Sequence, residues 1–260
     1  MTIDLRHGDW LSLARDLPAG SIDMLYADLP FNTGKAQKSP PAGGKVKGRT
    51  TEAAYADAWP TPSRYIDWLR ERLVATLPAL TETGSVLLHV DYRVSHHVRL
   101  LLDDVLGPDC FVNHLIWAYG LGGSSPRSFA RKHDDILFYA REPGRHWFKP
   151  PMVSATSRRL AGRLKKSTDV LDIPSINNMA RERTGYPTQK PLALLEVLVG
   201  ACCPPGGTVL DPCCGSGTTL EAAERHGRHA IGFDASIDAL AIARRRLGCA
   251  GADRPGGVAR

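Results

Sequence analysis

One segment restricts the fold more than any other. The apolar run Thr208-Val209-Leu210 stops at Asp211 and enters the glycine-bearing turn Pro212-Cys213-Cys214-Gly215-Ser216-Gly217-Thr218-Thr219, which opens a helix. A strand feeding a tight turn and then a helix is the unit of an open α/β sheet, and ligands bind such sheets beyond the carboxyl ends of the strands. A second junction of the same kind lies near the other end, where Ile22-Asp23-Met24-Leu25-Tyr26-Ala27 runs into Asp28-Leu29-Pro30-Phe31. It offers a carboxylate, backbone carbonyls and an aromatic face within four residues. Together the two junctions point to a group-transfer enzyme with a nucleoside-bearing cofactor and a planar amine substrate.

The rest of the chain fits this frame. The length of 260 residues suits one large α/β domain with a small insertion. Periodicity predicts a helix that begins at Ser63 as N-cap and carries Tyr65, Ile66, Leu69, Leu73 and Leu77 on one face. A strand over 85–90, a helix over about 93–106 and strands over 111–117 and 136–140 follow. Residues 192–202 read as a helix, with Pro191 acceptable in its first turn. Helix 217–226, strand 230–233 and an amphipathic helix over 236–247 complete the pattern. Strands alternating with helices imply a mainly parallel sheet covered on both faces.

Charge is unevenly spread. The net charge is +6, yet Lys35, Lys38, Lys45, Lys47 and Arg49 stand in a stretch free of acids. From Arg141 to Lys190 eleven basic residues face four acidic ones. An acidic body with two basic segments is the footprint of a polyanion-binding protein. The six cysteines include two adjacent pairs and no C-x-x-C spacing, which argues against zinc; reduced, packed thiols are expected. No apolar stretch is long enough to span a bilayer, and the charged N-terminus does not read as a secretory signal.

The loop after Asp211 lacks the third glycine of a dinucleotide fingerprint, and no phosphate loop is present, so a nucleoside cofactor without a phosphate chain fits. Asp234 ends the next strand, 23 positions after Asp211, where a carboxylate can accept from both hydroxyls of a ribose. Asp211–Thr219 resembles the cofactor-binding motif of S-adenosylmethionine-dependent amino-group DNA methyltransferases. Asp28-Leu29-Pro30-Phe31-Asn32 is similar to their catalytic D-P-P-[YF] motif. With the catalytic motif first and the cofactor motif last, the order resembles the permuted beta class, which methylates adenine N6 or cytosine N4. Gly8-Asp9, the stretch Arg127–Asp134 with Ile136–Tyr139, and Tyr186-Pro187-Thr188-Gln189-Lys190-Pro191 match further elements of that family.

The resemblance implies roles. Asp234 would bind the ribose, Asp9 the adenine amino group, and Thr188 and Lys190 the methionine carboxylate. Asp211 would face the amino-acid end of the cofactor. Gly215 and Gly217 would give close backbone approach, and Cys213 would be a small residue in the tight loop. An exocyclic amine conjugated to a base ring is a weak nucleophile, because its lone pair is delocalised. Asp28 and the carbonyl of Leu29 would each accept one N–H, localise the lone pair and hold the nitrogen near the reacting methyl. Phe31 would stack on the extruded base, with Pro30 between. Leu29 departs from the usual proline: it keeps the carbonyl but loses the fixed φ, which predicts a less rigid loop.

The expected fold is therefore α/β: a Rossmann-like methyltransferase fold with helices on both faces of the sheet, circularly permuted motif order and a small inserted target-recognition segment. Residues 1–146 would form the catalytic part, with a mobile loop at 33–59. Residues 147–185 would form the target-recognition segment, 186–250 the cofactor-binding part of the same domain, and 251–260 a frayed tail. Lys35, Arg158, Arg159, Arg163, Lys165 and Lys166 are the candidate DNA contacts. The expected function is site-specific methylation of double-stranded DNA at adenine N6 with S-adenosylmethionine and no metal, since adenine-directed relatives usually begin the motif with aspartate. Cytosine N4 methylation, a non-catalytic nucleic-acid-binding module with a degenerate fold, and an RNA or protein amine are the rival readings. A homodimer and a cognate restriction endonuclease are the further partners considered, with a cytoplasmic, nucleoid-associated location and no membrane partner.

Overall fold

Runs such as Met24-Leu25-Tyr26-Ala27 and Val86-Leu87-Leu88 are apolar at every position, so a sheet built from them must be covered on both faces. The computed structural model describes residues 1–38, 53–120, 124–155, 162–177 and 180–248, and in it these runs lie at the centre of an eight-stranded sheet. In chain order the elements are β1 (Ile3–His7), α1 (Trp10–Ala14), β2 (Ile22–Asp28), β3 (Lys35–Lys38), β4 (Ala53–Asp57), α2 (Pro62–Thr76), β5 (Leu80–Val90) and α3 (Ser95–Leu106). Then come β6 (Phe111–Ala118), β7 (His133–Ala140), β8 (Met152–Ser154), β9 (Leu164–Lys166), β10 (Val170–Asp172), α4 (Leu192–Cys202), β11 (Thr208–Asp211), α5 (Thr218–Arg225), β12 (His229–Asp234) and α6 (Ile237–Arg246).

The sheet order is β1-β12-β11-β2-β5-β7-β6-β10. All neighbours are parallel except β7, which runs antiparallel to both β5 and β6. The mainly parallel α/β fold is thus as expected. Alternation along the central strands sorts the core into two layers. Leu25, Ala27, Val86 and Leu88 pack with α1, α2 and α3, while Met24, Tyr26 and Leu87 pack with α4, α5 and Leu240 of α6.

Several local expectations are corrected. The second helix is capped by Thr61, whose hydroxyl accepts from the Arg64 N–H at 3.3 Å, not by Ser63. Pro62 takes the first helical position, where a missing N–H costs nothing. β1 and α1 had no counterpart in the sequence reading; a short strand of alternating Ile3, Asp4, Leu5 and Arg6 carries little periodic signal. β7 starts at His133 rather than Ile136, because Asp134 and Asp135 are buried against His89 and His114 and so occupy strand positions that composition disfavours.

The segment 33–59 is not loop throughout. Its two ends pair as an antiparallel ribbon, β3 with β4, while 39–52 lie outside the described residues. Asp57, almost fully buried, holds the near end: one carboxylate oxygen accepts from the Asn32 N–H (2.7 Å) and the other from the Thr33 hydroxyl (2.5 Å). The segment 147–185 is likewise not separate from the core. β10 adds to the sheet beside β6 with Leu171 buried, and only β8 and β9 form a distinct small ribbon. No helix among the described residues is long and apolar enough to cross a membrane.

Candidate active site

Five adjacent parallel strands, β1, β12, β11, β2 and β5, end at one edge of the sheet. Each ends in or just before an aspartate: Asp9, Asp234, Asp211, Asp28 and Asp91. Between β11 and β2 the order of the chain through the sheet reverses, and such a switch point leaves a crevice. A cavity of about 370 Å3 opens there. Asp9, Asp28, Pro30, Thr188, Lys190, Asp211, Cys213, Gly215 and Asp234, drawn from five separate stretches of sequence, line it together. Trp10, Trp59, Trp68, Tyr26 and Tyr186 supply apolar wall.

The cofactor half is held by backbone donors. One oxygen of Asp234 accepts from the Gly215 N–H and the other from the Ser236 N–H, both at 2.8 Å. Burial raises the Asp234 carboxyl above its ordinary range despite these bonds. Asp211, at 2% exposure, accepts from the Cys213 N–H at 3.1 Å. Burial pushes its carboxyl up to about 7 against the hydrogen bonds of Thr219 and Cys213, and the charges of Asp28 and Asp234 add to the rise. The Cys213 thiol is raised far above its usual value by burial and the neighbouring carboxylates, so it lines the cavity as a neutral group.

The two glycines differ. Gly215 has φ +50° and a Cβ there would meet the Tyr186 ring at 3.0 Å. Gly217, φ +76°, does not line the cavity; its missing Cβ lets α5 start against Ala243 of α6, where a Cβ would sit 2.9 Å away. Asp9 caps α1 through the Leu11 N–H (2.9 Å) and pairs with Arg72 at 2.6 Å, and the Arg72 guanidinium stacks 4.5 Å from the Trp68 ring.

The raised Asp211 carboxyl predicts a specific pH dependence. Its pKa is near 3.8 in the unfolded chain and about 7 in the folded one. Between those values the unfolded chain releases the proton that the folded chain keeps, so rising pH favours unfolding. This contribution to stability is fully present below about pH 4, falls by roughly a few kcal/mol through the window and levels off above about pH 7. Urea unfolding at about pH 5 and about pH 8 should show the component in the parent protein and not in Asp211→Asn. Identical pH dependence of the two proteins would refute it.

The catalytic half is built around an ion pair. The Lys190 ammonium donates to one oxygen of Asp28 at 2.5 Å, and both side chains are largely buried. The other oxygen, Oδ1, is buried with no partner among the described residues. A buried acceptor without a donor costs free energy and is uncommon in native proteins, which marks Oδ1 as a place for a donor from outside the chain. Phe31 lies half-buried between the Lys190 ammonium, 5.3 Å from its ring centroid, and the His89 ring at 6.2 Å. Leu29 does not line the cavity: its side chain is 3% exposed in the core, and its N–H donates to the His89 carbonyl at 3.1 Å. Proline has no such N–H. Against the lost φ restriction, leucine thus adds a hydrogen bond that proline could not make, extending the β2–β5 ladder by one rung past Asp28.

His89 was not foreseen as a site residue. It is fully buried; Nδ1 meets the Tyr26 hydroxyl at 2.9 Å and Nε2 meets Asp134 Oδ2 at 3.3 Å, while Tyr119 donates to Asp134 Oδ1 at 3.3 Å. Burial alone would raise the Asp134 carboxyl, but the bond and charge of His89, the charge of Lys190 and the Tyr119 hydroxyl hold it below its ordinary range. Arg72, Asp57, Trp59 and Trp68 were also missed. Asp57 and Trp59 sit in a segment read as loop, and Trp68 and Arg72 lie on a helix that was read only for its apolar face. A histidine inside an otherwise apolar strand was the available signal for His89.

The candidate DNA contacts are scattered. Arg158 and Arg159 lie outside the described residues, and Lys35 opens β3 with Asp57 as its backbone partner. Arg163 is exposed beside β9, its carbonyl accepting from Ala155 N–H at 2.9 Å. Lys165 and Lys166 are consecutive in β9 and pair with Val153 and Met152, so they point to opposite faces of the ribbon.

The chain is 29% identical over 264 residues to the type II methyltransferase M.ScaI of Streptomyces caespitosus, covering 94% of this chain and 80% of that protein. It is 26% identical over 259 residues to the DNA adenine methyltransferase YhdJ of Escherichia coli, covering 93% and 81%. In fold it resembles the cytosine-N4-specific PvuII DNA methyltransferase, with a TM-score of 0.68, 18% identity and coverage of 95% and 86%. It also resembles M1.HpyAVI, solved as a complex with SAM, with a TM-score of 0.63, 20% identity and coverage of 95% and 99%. The profile of one family, described as DNA methylase, matches residues 22–245, from the first residue of β2 into the last turn of α6. By that match, which takes in both the catalytic and the cofactor junctions, the chain belongs to the DNA methylase family.

Proposed function

We propose that this protein transfers a methyl group from S-adenosylmethionine to the exocyclic amine of a base extruded from double-stranded DNA, with adenine N6 as the target. The observation that carries the reading is the buried Oδ1 of Asp28, without a partner among the described residues, on a carboxylate that lines a cavity walled by aromatic rings. The cavity suits the cofactor. Four carboxylates line it against Lys190 and Arg72, which are already paired with Asp28 and Asp9. Asp211 and Asp234, both pushed up by burial, would ionise more readily beside a cationic ligand. Asp234 and Asp9 stand for the ribose and adenine, and Thr188 and Lys190 for the carboxylate. Lysine has three donors, so Lys190 can bridge Asp28 and a ligand carboxylate.

When bound, S-adenosylmethionine supplies an electrophilic methyl on a sulfonium. The protein's own groups do the rest. Asp28 Oδ1 accepts one N–H of the amine, and the Leu29 carbonyl, in a loop fixed by the Leu29–His89 bond, accepts the other. Phe31 offers its face to the base. The first aspartate of the motif and the adenine-specific relative favour adenine; the fold likeness to a cytosine-N4 enzyme supports cytosine N4 as the second reading. Methyl transfer from labelled S-adenosylmethionine to mixed-sequence duplex DNA, followed by nucleoside mass spectrometry, separates them. N6-methyladenine supports the first and N4-methylcytosine the second. Cofactor binding without either product would defeat both.

The β8–β9 ribbon is the proposed target-recognition element. Lys166, exposed, borders a cavity of about 400 Å3 with Val112, Phe148 and Val197, and Lys165, half-buried, faces the other way. Lys165→Ala and Lys166→Ala should each weaken DNA binding and reduce the slope of log affinity against log salt by about one contact. Fluorescence anisotropy with duplex DNA at several salt concentrations tests this, and an unchanged slope in both variants would contradict it.

A further inference from the structure

The loop between β6 and β7 carries the most exposed large apolar side chain among the described residues, Phe129 at 99% exposure. A built turn holds it out. Ser125 and Ser128 form an antiparallel bridge, and the Ser125 hydroxyl accepts from the Arg127 N–H at 3.2 Å. At the base of the loop the Tyr119 N–H donates to the Lys132 carbonyl at 3.0 Å. The Arg131 guanidinium lies 4.2 Å from the centre of the Tyr92 ring, and that of Arg93 lies 4.9 Å from it.

The loop also has a defined place. β7 runs antiparallel to β5, so its first residues lie beside Val90, at the same edge where β2 ends in Asp28. Asp134, in β7, bonds His89, whose carbonyl holds Leu29 of the catalytic loop. Phe129 is five positions before Asp134, so their Cα atoms lie within about 18 Å of each other.

Single exposed apolar residues are ordinary on protein surfaces. This one stands between two arginines, in a stretch from Tyr119 to His133 that has Arg127, Arg131 and Lys132 and no acid. The flanks suit a polyanion, and the ring needs an apolar slot to recover the free energy of burial. The base stack of a duplex supplies a planar apolar slot between phosphates, and apolar wedges of this type hold opened base steps apart. Chemistry on a base in a duplex leaves such a slot behind, because the base must be extruded.

We propose that Phe129 enters the duplex and fills the space vacated by the target base, with Arg127 and Arg131 on the flanking phosphates. This rests on the DNA reading given above. A protein partner, the competing occupant, would leave the basic flanks without a stated counterpart.

The test uses the full chain and its Phe129→Ala and Phe129→Trp variants. The methylated position is first mapped in duplex DNA modified by the parent protein. Two duplex oligonucleotides carrying that site are then compared, one fully paired and one with an abasic position opposite the target. Both are also made with a fluorescent base analogue at the target. Phe129→Ala should lower kcat/KM about tenfold or more on the paired duplex but less than about threefold on the abasic one, where extrusion is already cheap. It should also diminish the fluorescence rise on binding the paired duplex and leave S-adenosylmethionine affinity unchanged, while Phe129→Trp retains activity. Equal rates for Phe129→Ala and parent overturn the proposal. So does an equal loss on both duplexes, or a shift in oligomeric state with extrusion unaltered. A parent protein that methylates no DNA defeats the DNA reading itself, and the wedge with it.

Discussion

Replacing Asp28 by alanine is expected to lower methyl transfer to DNA by roughly 10^3-fold or more while leaving S-adenosylmethionine affinity largely intact. The buried Oδ1 is the acceptor of this carboxylate that no group among the described residues satisfies, so its removal takes away the contact proposed for the reacting amine. The same change also leaves the Lys190 ammonium, 2.5 Å from Asp28 and largely buried, without its counter-ion, and an uncompensated buried charge destabilises. Asp28→Asn is the necessary companion, because it keeps the shape and an oxygen acceptor but gives up the charge. Single-turnover transfer with saturating cofactor isolates the effect on chemistry, and equilibrium binding shows whether the cofactor site survives. An Asp28→Ala protein with parental single-turnover rates would end the assignment of Asp28 as the group that receives the amine.

Asp234→Ala should act on the other half, weakening S-adenosylmethionine binding by about 10–100-fold with a smaller change in the rate at saturating cofactor. Two effects add. The carboxylate proposed to hold the ribose is lost, and the N–H groups of Gly215 and Ser236, each 2.8 Å from an Asp234 oxygen, lose their acceptors. Leaving a buried N–H unsatisfied costs about 1–3 kcal/mol, so the turn that carries Gly215 should also loosen. Calorimetric titration with S-adenosylmethionine measures this directly. Unchanged affinity would show that the edge of β12 does not contact the cofactor. The contrast between the two variants is itself informative: Asp28 and Asp234 line one cavity, yet one should fail in rate and the other in binding.

Lys190 joins these two halves. The family resemblance assigns it to the cofactor carboxylate, while the structure places it on Asp28, with its charge also acting on Asp134. Its ammonium can serve both acceptors. Occupation of the cofactor end and the charge around the amine-binding oxygen are therefore linked through one side chain.

The local parts of this protein were legible in its sequence because they depend on local rules. Helix 192–202 was placed to the residue, since an eleven-residue segment of mostly apolar residues that starts after Pro191 and is interrupted only by Glu196 and Gly200 has few alternatives. The aspartates at the ends of β2, β11 and β12 were placed because an apolar run, an acid and a turn are contiguous in the chain. Short polar-alternating β1, the Pro62 start of α2 and the strand positions of Asp134 and Asp135 were not, because their signals are weak or contrary to composition. What only the tertiary structure decided are pairings between distant positions. Lys190 meets Asp28 across 162 residues, Arg72 meets Asp9 across 63, and His89 meets Asp134 across 45. Parallel strands are joined by long crossovers, so neighbours at the sheet edge are remote in the chain, and no local pattern records which of them touch.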